Sequence, residues 1–287
     1  MVSWPIRRSY RCPALRIGGS TLRWGERTYV MGILNVTPDS FSGDGTGGDV
    51  QAAAARAREL EAAGADILDI GAESSRPGAD PLPAEVELER LLPSLRAVRE
   101  TTDLPLSIDT YHASVAERAL EAGADAINDI HGLRHDPELA RLAATRGAPV
   151  FAMHNQRGRE TRDVAGDIRQ GFTESLRIAA DAGIPAERLI LDPGFGFGWA
   201  EEHNLEMLRR LPELWDMDLP ILVGTSRKST IGRVLDRPVE DRVEGTAATV
   251  SVAIAAGADI IRVHDVRQMA RVARMTDAVV RANWRGT

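Results

Sequence analysis

The 287-residue chain carries 35 Lys and Arg against 42 Asp and Glu, a formal net charge of -7. That balance argues against non-specific binding to nucleic acid or to an anionic membrane, because like charges repel, and it leaves room for a local basic pocket. The single cysteine, Cys12, excludes an internal disulfide and a cysteine-rich zinc site and reads as an incidental surface or packing thiol.

No apolar run approaches membrane-spanning length. The first 20 residues hold Arg7, Arg8 and Arg11 but no apolar core of signal-peptide length, so a cytoplasmic location is expected. Residues 1–27 form an extension in which LRIGGSTLRWGERTYVM reads as a short hairpin about Gly18-Gly19, leading into the main domain and plugging its base. A strand follows over about 28–35, rich in apolar and β-branched residues. It breaks into NVTPDSFSGDG, where Pro38 ends the strand and the glycines at 43, 45, 47 and 48 permit a long loop.

Val50, Ala53, Ala54, Ala57 and Leu60 then make one helical stripe, and Leu88, Leu91, Leu92 and Leu95 make another, which Pro93 is expected to kink. Further strands are expected near 66–70, 104–109, 125–129, 148–153, 188–192, 220–224 and 259–263. A last helical stripe runs through Val266, Met269, Ala270 and Ala273. One phrase recurs: a helix ends in Ala-Gly, then comes Ala-Asp and a strand, as in AAGADILDIG, EAGADAINDI and AAGADIIRVHD. Its glycine suits the residue after a helix, where φ is positive. Eight strands alternating with helices predict an α/β fold, a (β/α)8 TIM barrel forming one domain over 28–287. The rival is a doubly wound open sheet, but no glycine-rich dinucleotide fingerprint follows the first strand.

In a barrel, chemistry gathers where the strands end. Here almost every expected strand ends in a polar group: Asn35, Asp69, Asp109, Asn128-Asp129, Met153-His154, Asp192, GTSRKS and Arg262-Val263-His264. Singly, such residues often cap the next helix, as Asp129 and Asp265 are expected to do. His112, His131, His135 and His203 read as surface or packing residues. Convergence on one mouth favours a site. Asp109, Asn128 and Asp192 suit a flat nitrogen heterocycle, Lys228 a ring carbonyl or nitrogen, and Met153 a ring face. Arg262, His264 and Asn35 suit a phosphate or pyrophosphate. A metal here is expected to be hard and oxygen-bound, such as Mg²⁺, shared with substrate phosphates.

Taken together and in order, NVTPDSFS, DIGAESSRPGA, SIDT, INDI, DPGFGFG, VGTSRKSTIG and RVHDV resemble the dihydropteroate synthase family of pterin-binding enzymes, over residues 28 to 270. The resemblance implies a transferase of folate biosynthesis, targeted by sulfonamides and usually a homodimer. Such an enzyme condenses 6-hydroxymethyl-7,8-dihydropterin pyrophosphate with p-aminobenzoate to give 7,8-dihydropteroate and pyrophosphate. It implies a pterin pocket at Asp109, Asn128, Met153, Asp192 and Lys228, and a pyrophosphate site at Asn35, Arg262 and His264, with Asn35 as the Mg²⁺ ligand. It also implies a p-aminobenzoate side at Phe41, Ser75, Arg76, Pro77 and Ser229. Asp39 would then stabilise a cation at the pterin methylene while NVTPDSFSGDG closes over pyrophosphate.

The chain departs from the family's usual pattern in Ala72 for Gly, Ser75 for Thr, the somewhat atypical Thr225, and Trp199 where Lys is usual. Two readings compete. A methyltetrahydrofolate-dependent methyltransferase would share the pterin carboxylates but would not need TPDSFS or SRKS. A catalytically silent pterin-binding paralogue would be marked by loss of Asn35, Asp109, Lys228 or Arg262, and all four are present.

Overall fold

A computed structural model describes residues 12–36, 49–72, 82–282 and 284. The chain opens with the expected hairpin. Strand β1 (Leu15–Ile17) pairs antiparallel with β2 (Ser20–Leu22) across Gly18-Gly19. Gly18 has φ 54°, and a Cβ there would meet the Asp125 carboxylate at 2.9 Å.

Eight strands then follow in parallel: β3 (Tyr29–Asn35), β4 (Ile67–Gly71), β5 (Leu106–Asp109), β6 (Ala126–Asp129), β7 (Val150–Met153), β8 (Leu189–Asp192), β9 (Leu222–Val223) and β10 (Ile260–Val263). Their order around the sheet is β8-β7-β6-β5-β4-β3-β10-β9. A parallel bridge between Leu191 and Ile221 joins the two ends, so the sheet closes into a barrel with one short-paired seam. All eight expected strands are present.

The intervening helices are α1 (Val50–Ala63), α2 (Ala84–Arg99), α3 (Ala113–Glu121), α4 (Pro137–Arg146), α5 (Val164–Ala182), α6 (Glu201–Arg210), α7 (Ser229–Leu235), α8 (Val243–Ala255) and α9 (Val266–Val280). Helix α2 runs without a break through Pro93. That residue is exposed, as is Glu89, whose carbonyl loses its intrahelical donor, so the missing hydrogen bond falls on the solvent-facing side of the helix.

The recurrent Ala-Gly-Ala-Asp phrase has a double use. Gly64, Gly123 and Gly257 all have φ near 100°, ending α1, α3 and α8. The aspartate two residues on then holds the preceding strand. Asp66 accepts from Val30 N at 2.8 Å, Asp125 from Leu106 N at 2.9 Å and Asp259 from Ile221 N at 2.9 Å. Each satisfies a backbone donor that would otherwise be lost at the base of the barrel, a bond to a charged acceptor worth about 1.5–3 kcal/mol.

Strand periodicity decides what faces the axis. Leu68, Ile70, Ile108, Ile127, Val150, Ala152, Leu189 and Ile261 point outward into the two helix-facing cores. Tyr29, Met31, Ile67, Ala126, Phe151, Ile190, Leu222 and Ile260 form an inner core, and the hairpin's Leu15, Ile17, Leu22 and Trp24 pack into it. The hairpin therefore plugs the base. Cys12 is half-buried beside it as a packing thiol.

Candidate active site

The parity that sends Ile67, Ala126, Phe151, Ile190 and Ile260 inward at the base sends the residue two positions later inward near the top. Those residues are Asp69, Asn128, Met153, Asp192 and Arg262. Asn35 and Asp109, the last residues of β3 and β5, complete the ring. The apolar plug below and the helices outside exclude water from its floor, and the charges there must satisfy one another.

They do so through Arg262. Its Nε donates to Asp69 Oδ2 at 2.6 Å and an Nη to Asp109 Oδ2 at 2.7 Å. Asn128 Nδ2 donates to the same Asp69 oxygen at 2.9 Å. Burial alone would pull the Arg262 basicity down, but Asp69 and Asp109 outweigh it and hold the guanidinium more firmly protonated than usual. The sequence groups Arg262 with Asn35 and His264; the structure also pairs it with the carboxylates Asp69 and Asp109. Asp69 was not assigned to the site at all. It is fully buried and anchors both Arg262 and Asn128. Its signal was available in the alternation, two residues after the inward Ile67.

Asp192 lies opposite, with Oδ1 accepting from Gly194 N at 2.8 Å. Burial pushes its pKa up to about 6, against the pull of that hydrogen bond, Lys228 and Arg262. Burial, aided by Arg262, brings Lys228 down to about 8, while Asp192 and Asp109 oppose the fall. Both groups are ionised near neutral pH, inside a narrow window.

Two neighbouring loops position Lys228. In DPGFGFG, Gly194, Gly196 and Gly198 have φ of 76°, 82° and 84°. A Cβ on Gly194 would lie 1.9 Å from the His154 carbonyl oxygen and one on Gly196 3.0 Å from Lys228 Cδ, so these glycines let the loop press onto β7 and onto the lysine stem. The Phe197 ring faces Lys228 Nζ, 4.1 Å from its centroid. Asn204, 2% exposed on α6, ties the loops together: it accepts from Gly196 N at 2.6 Å and donates to Trp199 O and to Thr230 Oγ1 at 3.0 Å.

In the second loop Arg227 adopts φ 55°, a left-handed conformation that a side chain disfavours. It is pinned by its bidentate pair with Asp265 (3.0 and 2.6 Å), by Arg242 donating to its carbonyl at 2.9 Å, and by its N–H to Thr246 Oγ1. This sharp turn aims Lys228 at the barrel axis and sets Ser229, exposed, at the start of α7. His264 Nδ1 lies 2.9 Å from Ser226 Oγ in the same loop.

The helix-cap expectations are corrected. Asp265 makes no cap hydrogen bond, because Arg227 holds its carboxylate. Asp129 accepts from His131 N and Leu133 N and shapes a turn, and Asp136 caps α4 instead. Trp199 is buried, its ring 5.7 Å from that of His154 and 6.3 Å from that of His203. His112, His131 and His135 pack around Tyr111 at ring distances of 4.4, 5.0 and 4.7 Å. Ala72 is buried and is not among the described residues with positive φ, so its Cβ is accommodated. Thr225 is buried and accepts from Thr249 Oγ1 at 2.9 Å. Asp39, Phe41, Ser75, Arg76 and Pro77 lie outside the described residues.

A closed α/β barrel with buried carboxylates, an amide, a lysine and an arginine converging at its strand ends defines a pterin-binding barrel enzyme. The family model described as "Pterin binding enzyme" matches residues 31–264. A dihydropteroate synthase from Clostridium beijerinckii is 47% identical over 268 residues, covering 93% of this chain and all of that one. The crystal structure of a Clostridium difficile dihydropteroate synthase in the presence of pteroic acid superposes with a TM-score of 0.86 at 46% identity, covering 91% of this chain and 99% of that one. A Xanthomonas albilineans dihydropteroate synthase with 4-aminobenzoic acid has a TM-score of 0.86 at 40% identity, with coverages of 93% and 98%. The chain belongs to the pterin-binding enzymes and, within them, to the dihydropteroate synthase family.

Proposed function

We infer that this protein is a dihydropteroate synthase, a transferase that joins p-aminobenzoate to the methylene of 6-hydroxymethyl-7,8-dihydropterin and releases pyrophosphate. The observation that carries the reading is the polar floor in one barrel mouth, made by the buried Asp69, Asn128 and Asp192 and the half-buried Asp109, Lys228 and Arg262. Its acceptors and donors match the amino-pyrimidinone edge of a pterin, with Met153 lining the pocket. A methyltransferase would have no use for the SRKS turn that Arg227 and Asp265 hold in place.

The residues divide the work. Asp109, Asn128 and Asp192 accept from or donate to the pterin edge and fix the ring, and Lys228 donates to a ring oxygen or nitrogen. Arg262 and His264 lie at the top of β10, on the side where Asn35 ends β3, and take up negative charge as pyrophosphate leaves. Loss of pyrophosphate breaks the C–O bond and leaves a cation at the methylene, assigned to Asp39 for stabilisation. The neutral aromatic amine attacks the methylene and forms the C–N bond, and the acidic proton it then carries passes to water or to the departing pyrophosphate, so no strong general base is needed.

Among the described residues no group of three or more His, Cys, Asp or Glu could hold a metal. Asn35 offers one hard amide oxygen, the donor set of an ion that takes its other ligands from substrate phosphates and water. Asn35 would hold Mg²⁺, and the ion would supply charge neutralisation for the leaving pyrophosphate. The p-aminobenzoate side is assigned to Ser229 with Phe41, Ser75, Arg76 and Pro77.

We assign the protein to the cytoplasm; no helix among the described residues is long and apolar enough to cross a membrane. A homodimer is supported by exposed apolar side chains on three adjacent helices: Val234 and Leu235 on α7, Val252 on α8, Met275 and Val279 on α9. Sedimentation equilibrium tests it. Lys228→Ala tests the pocket: pterin binding and turnover should fall together by at least a hundredfold, and near-normal kinetics would remove Lys228 from the site.

A further inference from the structure

We propose that Arg157 is a further binding residue for the second substrate, a cation that receives the carboxylate of the incoming aromatic amine. The inference rests on the synthase reading and adds a residue to it. Arg157 is the first exposed residue after β7, and its backbone is fixed against the DPGFGFG loop. Gln156 N donates to Phe197 O at 3.1 Å, and Arg157 N donates to Asn155 Oδ1 at 3.1 Å. Gly198 lies so close that a Cβ would stand 2.4 Å from Arg157 N. The guanidinium is thereby brought over the Phe197 ring, with Cζ 4.8 Å from the centroid, the same ring that Lys228 Nζ approaches to 4.1 Å.

Position and charge agree. The carboxylates Asp69, Asp109 and Asp192 are within strands, whereas Arg157 stands four residues beyond the end of β7, farther out along the axis. It stands near enough to Lys228 and His131 to add, behind burial and closer charges, to the lowering of their basicities. An amine attacking the pterin methylene must point its nitrogen at the floor. A para carboxylate then points outward, past the Phe197 ring, toward a cation at this level. A guanidinium suits a carboxylate better than an ammonium does, because its planar fork pairs with both oxygens.

The test compares wild type with Arg157→Gln in steady state, using p-aminobenzoate and its neutral isostere 4-aminobenzamide as an alternative substrate or competitive inhibitor. The expected result is a five- to twentyfold rise in KM for p-aminobenzoate. KM for dihydropterin pyrophosphate and the affinity for 4-aminobenzamide should stay within twofold of wild type. Arg157→Lys should restore part of the loss, and raising salt should raise the p-aminobenzoate KM of wild type but not of Arg157→Gln. An unchanged p-aminobenzoate KM, or an equal loss for the amide, would overturn the assignment. Failure of the wild type to make dihydropteroate would instead refute the synthase reading itself.

Discussion

Binding of the pterin ring should trace a bell in pH whose limbs belong to Asp192 and Lys228. The Asp192 carboxyl is raised to about 6 and the Lys228 ammonium lowered to about 8, each chiefly by burial. The ring needs the carboxylate as acceptor and the ammonium as donor. Affinity should therefore be highest between these values, where both groups are ionised. Below pH 6 protonation of Asp192 competes with the ligand's N–H groups. Above pH 8 Lys228 loses its charge. Beyond each limb affinity should approach a tenfold fall per pH unit, about 1.4 kcal/mol. The lysine's displacement from its ordinary value of 10.5 amounts to about 3 kcal/mol of lost preference for the charged form. The assay is calorimetric titration with 6-hydroxymethyl-dihydropterin, which carries no pyrophosphate whose own ionisation would intrude. Arg262→Gln supplies a second handle. Arg262 lowers the pKa of both groups, so its loss should move both limbs to higher pH. A flat affinity from pH 5 to 9, or limbs that do not move in Arg262→Gln, would refute this account of the floor.

Other substitutions test the supporting frame. Arg227→Ala and Arg227→Gly both abolish the pair with Asp265, but only alanine keeps the left-handed strain at φ 55°. Thermal unfolding should show both destabilised by roughly 2–4 kcal/mol, with glycine the milder by about 1 kcal/mol; glycine as costly as alanine would deny the strain. Asn204→Ala strands Gly196 N and should cost about 2 kcal/mol of stability while raising the KM for the pterin substrate, since the loop and Lys228 lose their tie. His154 is fully buried and its pKa is lowered by burial from 6.5 to about 4. The unfolded chain thus binds more protons than the folded one between those values, and this residue's contribution to stability falls as pH falls. His154→Leu, whatever its fixed cost at pH 7.5, should gain on wild type by about 2 kcal/mol at pH 5. An unchanged difference between the two pH values would show that His154 is not held neutral.

The fold was legible because its signals are local and repeated. Glycine after a helix, aspartate before a strand and short apolar runs each have a physical cause that the structure displays. The pocket was legible in part. Strand ends carrying Asp109, Asn128, Asp192 and Arg262 announced themselves, and period-2 alternation puts them on one axis. Asp69 reads as one strand end among several, and nothing local marks it as the anchor of Arg262 and Asn128, its partners 193 and 59 positions away. What escaped was pairing across the barrel: Arg262 with Asp69 spans 193 positions, and no local pattern encodes it. The roles of Asp129 and Asp265 were misread as well. Capping propensity is local: Asp265 is claimed instead by Arg227, 38 positions away, while Asp129 turns to the N–H groups of a local turn at His131 and Leu133, ahead of the helix that Asp136 caps. Trp199 reads in the sequence only as a replacement for the usual Lys, and only the fold shows it buried, with His154 and His203 as ring neighbours.

The most direct test of the central claim is turnover by the purified protein with dihydropterin pyrophosphate, p-aminobenzoate and Mg²⁺, following both products. Dihydropteroate and pyrophosphate should form in equal amounts, with turnover lost when the metal is chelated. Pyrophosphate released without dihydropteroate, or pterin bound with neither product formed, would contradict it.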